Sequence, residues 1–298
     1  MPAVSVIIPC HNVEMYIESC VVSICGQSLE DLELICVDDG STDGTGDLLD
    51  KLARGDKRIR VVHQENQGAG GARNTGLALA RGDYFSILDS DDLFNKKMLE
   101  TAYVKALLTN ADVVLYKSNQ FLQKEDCYRE TPWAIKCDQL PNTEVFSMRD
   151  IAPNAFFAFQ GWTWDKLFRA SLILDYGLKF QTLRIYNDMF FTFSACLLAH
   201  HLTYVDHVLI HQRKRGGGSL SDNPSPYWDC LFDALAAVDA LIKDTPSLEP
   251  FRGDFDAYVL HMVRRQLEIN EGEDKKRMRE AISSRWKDEF PALMGFKD

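Results

Sequence analysis

The chain has no hydrophobic run long enough to cross a bilayer. Its longest nearly apolar stretch, residues 190–199, is interrupted by Thr192 and Ser194 and falls far short of the roughly 20 residues a spanning helix needs. The opening residues, MPAVSVIIPC, lack the basic stretch, apolar segment and small-residue cleavage site of a secretory signal. The expected location is cytoplasmic, with at most peripheral contact at the inner face of the cell membrane. No two of the eight cysteines are spaced CxxC, so the reading is reduced thiols without a zinc or redox motif. Positive charge is scarce, with 33 Lys and Arg against 44 Asp and Glu and a formal net charge of −11. A surface of that sign repels phosphate backbones, which excludes nucleic acid as the main partner. There is no GKS or GKT, hence no P-loop, and no internal repeat. What remains is 298 residues with 46% hydrophobic and 26% charged, an ordinary globular composition with ample length to bury a core.

The first 117 residues alternate in type. Short apolar runs at 4–8, 32–37, 59–63, 84–88 and 112–116 read as strands. Residues 16–24, 42–52, 72–80 and 96–108 read as helices, with Ser41 or Thr42 as an N-cap for the second. Such alternation predicts a mainly parallel sheet flanked by helices. Polar punctuation follows the carboxyl ends of the strands, and ligands bind along that edge in open α/β sheets. Residues 9–12, 38–43 and 89–92 are therefore expected to converge. Residues 118–160 are less regular. Helix is expected at 189–200, strand at 202–210, and a glycine-rich loop at 213–221 (RKRGGGSLS). Helices at 227–242, 251–269 and 275–286 follow, with Leu241, Leu260 and Met262 as core residues. The domain reading is a catalytic unit over 1–220, divided into halves 1–117 and 118–220, and a helical region over 221–298.

Three motifs carry chemistry. Asp89-Ser90-Asp91-Asp92 offers hard oxygen ligands suited to Mg2+ or Mn2+, and one acid could instead hold a ribose hydroxyl; the alternative is capping of the next helix. Asp38 to Gly44 (DDGSTDG) offers a carboxylate to a base imide, or is a tight turn. Gln67 to Gly76 (QGAGGARNTG) places glycines before a helix, which suggests phosphate approach. It does not fit a dinucleotide fingerprint, because Arg73 occupies the third glycine position.

VSVIIPCHN, ICVDDGSTDGT, NQGAGGARNTG and YFSILDSDD, in this order and spacing, resemble the nucleotide-binding half of family 2 glycosyltransferases over roughly residues 3–117. The resemblance implies the GT-A fold and inverting transfer from a nucleoside diphosphate sugar, UDP-sugar favoured, to a saccharide or lipid-linked acceptor. It implies that Pro9 and His11 pack around the base, Asp39 reads the uracil imide, and Arg73 lies near the nucleotide. Asp89 and Asp91 resemble the Asp-X-Asp motif, with Ser90 between them, Asp91 on a divalent metal and Asp89 on ribose or supporting the metal. Trp164 and Asp165, in WDKLF, are expected to face the sugar or acceptor. Asn187-Asp188 resembles the family's Glu-Asp pair with Asn for Glu, and Asp188 would be the catalytic base or an N-cap. Arg213, Arg215 and Ser219 resemble a loop closing over the diphosphate, and His207 or His211 is a candidate third metal ligand or a structural His. A sugar nucleotidyltransferase and a non-catalytic nucleotide-binding protein are the rival readings. Lys275, Lys276, Arg277 and Arg279, near Trp286, Phe290 and Phe296, suggest either a membrane-resting helix or one packed on the catalytic unit or in a homodimer.

Overall fold

Residues 1–215, 227–286 and 290 are described by the computed structural model. Strands β1 (Val4–Cys10), β2 (Leu32–Asp39), β3 (Ile59–Gln64) and β4 (Tyr84–Ile87) lie in the order β3-β2-β1-β4 and are all parallel. Helices α1 (Glu14–Cys25), α2 (Thr45–Gly55) and α3 (Gly68–Leu79) connect them. β1 and β4 are buried nearly throughout, which is why they read as continuous apolar runs rather than alternating ones.

Beyond β4 the sheet is mixed. A two-residue strand, β5 (Leu93–Phe94), precedes α4 (Met98–Thr109), and β6 (Val113–Leu122) pairs with a short hairpin strand, β7 (Cys127–Glu130). After α5 (Met148–Ile151) comes β8 (Lys166–Arg169), which inserts antiparallel between β4 and β6. Then follow α6 (Ala170–Asp175), α7 (Met189–Leu198) and β9 (Leu202–Lys214), which runs parallel to β6. The full order is β3-β2-β1-β4-β8-β6-β9-β5. The mainly parallel expectation thus holds for the first four strands. It fails at β8, because residues 123–165 return the chain antiparallel beside β6 rather than across the sheet.

Several local expectations are corrected. α2 begins at Thr45, and Ser41 and Thr42 do not cap it. Ser41 Oγ instead accepts the Asn12 amide at 3.1 Å, and the Thr42 amide donates to Asn12 Oδ1 at 2.8 Å. Asp91 and Asp92 lead into β5, so neither caps α4. β9 continues to Lys214, so Arg213 lies on a strand and not in a loop. α3 starts at Gly68, which puts the glycines inside the helix. For Gly70 and Gly76 the use is close packing. A Cβ on Gly76 would overlap Ile7 of β1, and one on Gly70 would overlap the Gln181 carbonyl oxygen.

Side chains alternate across the strands and build a core on each face. Val4, Val6, Ile8, Leu34 and Cys36 join α1 and α4 on one face. Ile7, Phe85, Ile87, Leu115 and Phe168 join α7 and three later helices on the other, namely α8 (Trp228–Asp244), α9 (Arg252–Ile269) and α10 (Gly272–Ala281). Leu231, Phe255, Val259, Trp286 and Phe290 belong to that same cluster, so a division at 220 separates segments that share one core. Met262 is buried as expected, while Leu241 and Leu260 are only partly so. Trp286 stacks on Phe232 at 4.6 Å. The aromatics expected to rest on a membrane are therefore inside the protein; Phe296 lies outside the described residues. Among the described residues no helix is long and apolar enough to cross a membrane.

Candidate active site

The carboxyl ends of β1, β2 and β4 deliver three loops to one edge, as the pattern predicts. At the first, Pro9 is the penultimate residue of β1 and His11 is exposed beyond it. His11 Nδ1 donates to the Asp39 carbonyl oxygen at 2.9 Å, which ties the first loop to the second. Asp39 is 2% exposed, and its Oδ1 accepts both Gln64 Nε2 at 2.7 Å and the Gln67 amide at 2.9 Å. Its neighbour Asp38 serves the turn. Burial pushes the Asp38 carboxyl up, but bonds from Ser41 and His63 outweigh it and hold its pKa below the usual carboxylate range. Gly40 follows at φ +71, a conformation in which a side chain would be strained.

The third loop gathers negative charge. Asp91 has its pKa raised by burial and by Asp89, with Arg215 opposing. Asp92 is raised well above the usual value by burial and by both neighbouring acids. The basic stretch answers this crowding. Arg215 pairs with Asp91, Arg213 Nε donates to the Asp91 carbonyl oxygen at 2.7 Å, and the Arg213 amide donates to Asp92 Oδ1 at 2.9 Å. Both guanidinium groups lie over the Tyr16 ring, at 5.2 Å for Arg213 and 4.2 Å for Arg215, a cation–π arrangement. Tyr16 has no signal in the sequence beyond its place on α1.

Arg73 links this cluster to the start of α7. It is 6% exposed, with one nitrogen 2.7 Å from Asp89 Oδ1 and another 2.5 Å from Asn187 Oδ1. Asp188 stands at the N-cap position of α7 but makes no capping bond. Burial raises its pKa to about 6, Arg73 opposes the rise and Asp89 adds to it. A carboxylate that is neither capping nor paired, with a pKa close to neutrality, is suited to taking a proton.

A family model described as Glycosyl transferase family 2 matches residues 5–164. The chain belongs to this family. EpsH of Bacillus subtilis (strain 168), a glycosyltransferase by assignment, is 32% identical over 87% of this chain and 74% of its own length. Among solved structures, S. aureus TarS 1-349 in complex with UDP-GlcNAc superposes with a TM-score of 0.70 at 23% identity, over 99% of this chain and 79% of that one. The mannosyltransferase PcManGT from Pyrobaculum calidifontis, in complex with GDP-Man and Mn2+, gives 0.61 at 18% identity, over 98% and 85%. At these identities the two structures speak for the fold. The protein is a glycosyltransferase with a mixed sheet, flanking helices and a helical C-terminal region.

Several other expected site residues of this family 2 glycosyltransferase are buried or held by other partners. Asp165 does not face the edge: it and Lys166 are both fully buried and paired at 2.6 Å. Trp164 is 4% exposed beneath Trp162, whose ring stacks on it at 4.7 Å. His211 is turned to Asn119 Oδ1 at 2.6 Å and packs on Tyr128. It joins no ligand cluster, since among the described residues no three metal-binding side chains gather; His207 is likewise in none. Ser90 is buried within the acid loop. Ser219 and the three glycines lie outside the described residues. The residues that would hold a magnesium or manganese ion are Asp91, which Arg215 pairs here, and Asp89, since such ions use one or two carboxylates and complete their shell with water and substrate phosphates. Asp92, the last acid of that cluster, has its Oδ2 buried without a partner.

Proposed function

We propose that this glycosyltransferase moves a sugar from a nucleoside diphosphate sugar, UDP-sugar favoured, to a hydroxyl of a saccharide or lipid-linked saccharide, with inversion. The observation that carries the reading is the Asp188 carboxylate, which does not cap α7 and directly follows Asn187, the partner of the Arg73 that also holds Asp89; burial raises its pKa to about 6. Asp188 accepts the proton of the acceptor hydroxyl as that oxygen bonds to the anomeric carbon. The bond from that carbon to the diphosphate oxygen breaks, and its electron pair leaves with the diphosphate. Asp39 orients the base, and Pro9 and His11 flank it. Arg213 and Arg215 face the diphosphate, where arginine forks match phosphate oxygens. A divalent ion on Asp91, with Asp89 in support, would supply neutralisation of charge on the leaving group. UDP-GlcNAc in the TarS complex, and GDP-Man with Mn2+ in the mannosyltransferase complex, support the donor class and the ion.

The test combines titration and turnover. Calorimetry with UDP, with and without Mn2+ and with GDP as control, is expected to show metal-dependent UDP binding. Asp188→Asn is expected to keep that binding and lose transfer from UDP-sugars. Full transfer by the variant would remove Asp188 from the reaction. A folded sample that binds neither nucleotide would favour the non-catalytic reading. Release of pyrophosphate from a nucleoside triphosphate would favour a nucleotidyltransferase.

A further inference from the structure

Three tryptophans form a ladder that the site described above does not use. Trp164 is buried, Trp162 stacks on it with rings 19° apart, and Trp133 meets Trp162 edge-on at 5.4 Å. Trp133 remains 45% exposed. The ladder rises at the same edge as the acid loop. Ser86 of β4 lies opposite Leu167 of the antiparallel β8, so the residues entering β8 emerge where those leaving β4 do, at Asp89 and Asp91. It also adjoins the base. Gly161 packs so closely on the start of α7 that a Cβ there would lie 3.6 Å from the Met189 Cα and 3.0 Å from the Phe193 ring, and Asp188 directly precedes Met189.

The backbone beneath the ladder is tied down by hydrogen bonds. Lys166 Nζ donates to the carbonyl oxygens of Trp162 at 2.8 Å and Gln160 at 3.0 Å. The Gln160 amide donates to the Ala134 carbonyl oxygen at 3.1 Å, and Gln160 Nε2 to that of Trp133 at 3.3 Å. The backbone at Trp133 and Trp162 thus belongs to one hydrogen-bonded network around Lys166 and Gln160, which limits the ordering cost of binding. A flat, uncharged aromatic surface beside a proton acceptor matches one chemistry well. A pyranose presents axial C–H groups on one face, which pack on an indole, and hydroxyls around its rim, which stay free for the base.

We propose that Trp162 and Trp133 form the subsite for the acceptor sugar, with the pyranose stacked so that its reacting hydroxyl points to Asp188. This rests on Asp188 being the base, and the test separates the two ideas. Saturation-transfer NMR is run with the methyl β-glycosides of glucose, galactose and N-acetylglucosamine, in the presence of UDP and Mn2+. At least one glycoside is expected to receive saturation on its ring protons. That signal should fall roughly fivefold or more in Trp133→Ala and in Trp162→Ala, and persist in Trp162→Phe, which keeps an aromatic face and controls for folding. UDP titration should be the same in all variants. Silence of every glycoside with the unaltered protein overturns the proposal, and so does full signal in both alanine variants. Failure of the donor reading would show instead as absent UDP binding by the unaltered protein, while the glycoside signals still decide the subsite.

Discussion

Replacing Lys166 with Met tests how the inner wall of the site is held. Lys166 and Asp165 are both 0% exposed, and the ammonium spends its three protons on Asp165 Oδ1, the Gln160 carbonyl and the Trp162 carbonyl. Asp165 Oδ2 already lacks a partner, so the variant leaves a fully buried carboxyl without its cation. Breaking one side of a buried pair costs about 3–5 kcal/mol, a large part of the ~5–15 kcal/mol that holds a protein folded. With a urea slope of about 3 kcal/mol per molar, the midpoint should fall by roughly 1–1.7 M, followed by tryptophan fluorescence. Burial raises the Asp165 pKa even with Lys166 present. In the variant the folded state binds that proton more tightly still, so the deficit should be smaller at pH 5 than at pH 7.5. The double change Asp165→Leu with Lys166→Met removes the orphaned charge and should return to within about 2 kcal/mol of the unaltered protein. A single variant within about 1 kcal/mol of the unaltered protein, or a double variant worse than the single, would refute the reasoning.

The acid limb of transfer should have its midpoint at about 6, with rate falling about tenfold per pH unit below it, because Asp188 must be unprotonated to accept a proton; a profile level down to pH 5 argues against it. Arg73 lowers the Asp188 pKa, so Arg73→Met should move that limb to higher pH, and no movement would show that the two groups are not coupled. Gly76→Ala drives a methyl into Ile7 and should cost about 1–3 kcal/mol, read as a lower melting temperature; an unchanged melting temperature would mean that α3 does not need its close approach to β1.

Legibility followed the range of the interactions. β2 and β4 and their acidic loops stand out in sequence because each is an apolar run ended by Asp, and β1 because its apolar run ends at Pro9; each is set by neighbours in the chain. β8 was hidden because its four residues, KLFR, begin with a lysine, which is tolerable in the interior through the carboxylate one residue earlier and two backbone carbonyls. Which tryptophan meets solvent was not legible either. Trp164 lies in the recognisable WDKLF segment, yet Trp162 covers it, and Trp133 comes from the irregular excursion 29 residues earlier. The contact of Arg73 with Asn187 spans 114 residues, and no local pattern announces it. The partner of His211 was hidden for a similar reason: Asn119 lies on the neighbouring strand β6, which the sequence reading ended at residue 116.

Packing of the later helices on the sheet sets a sequence of events in synthesis. The face of the sheet that carries Phe85, Leu115 and Phe168 is covered by Leu231, Phe255, Trp286 and Phe290, which leave the ribosome after every residue assigned to the chemistry. The segment bearing the base therefore emerges with its supporting surface bare, and the nascent chain must keep that greasy face from its neighbours until its final helices arrive.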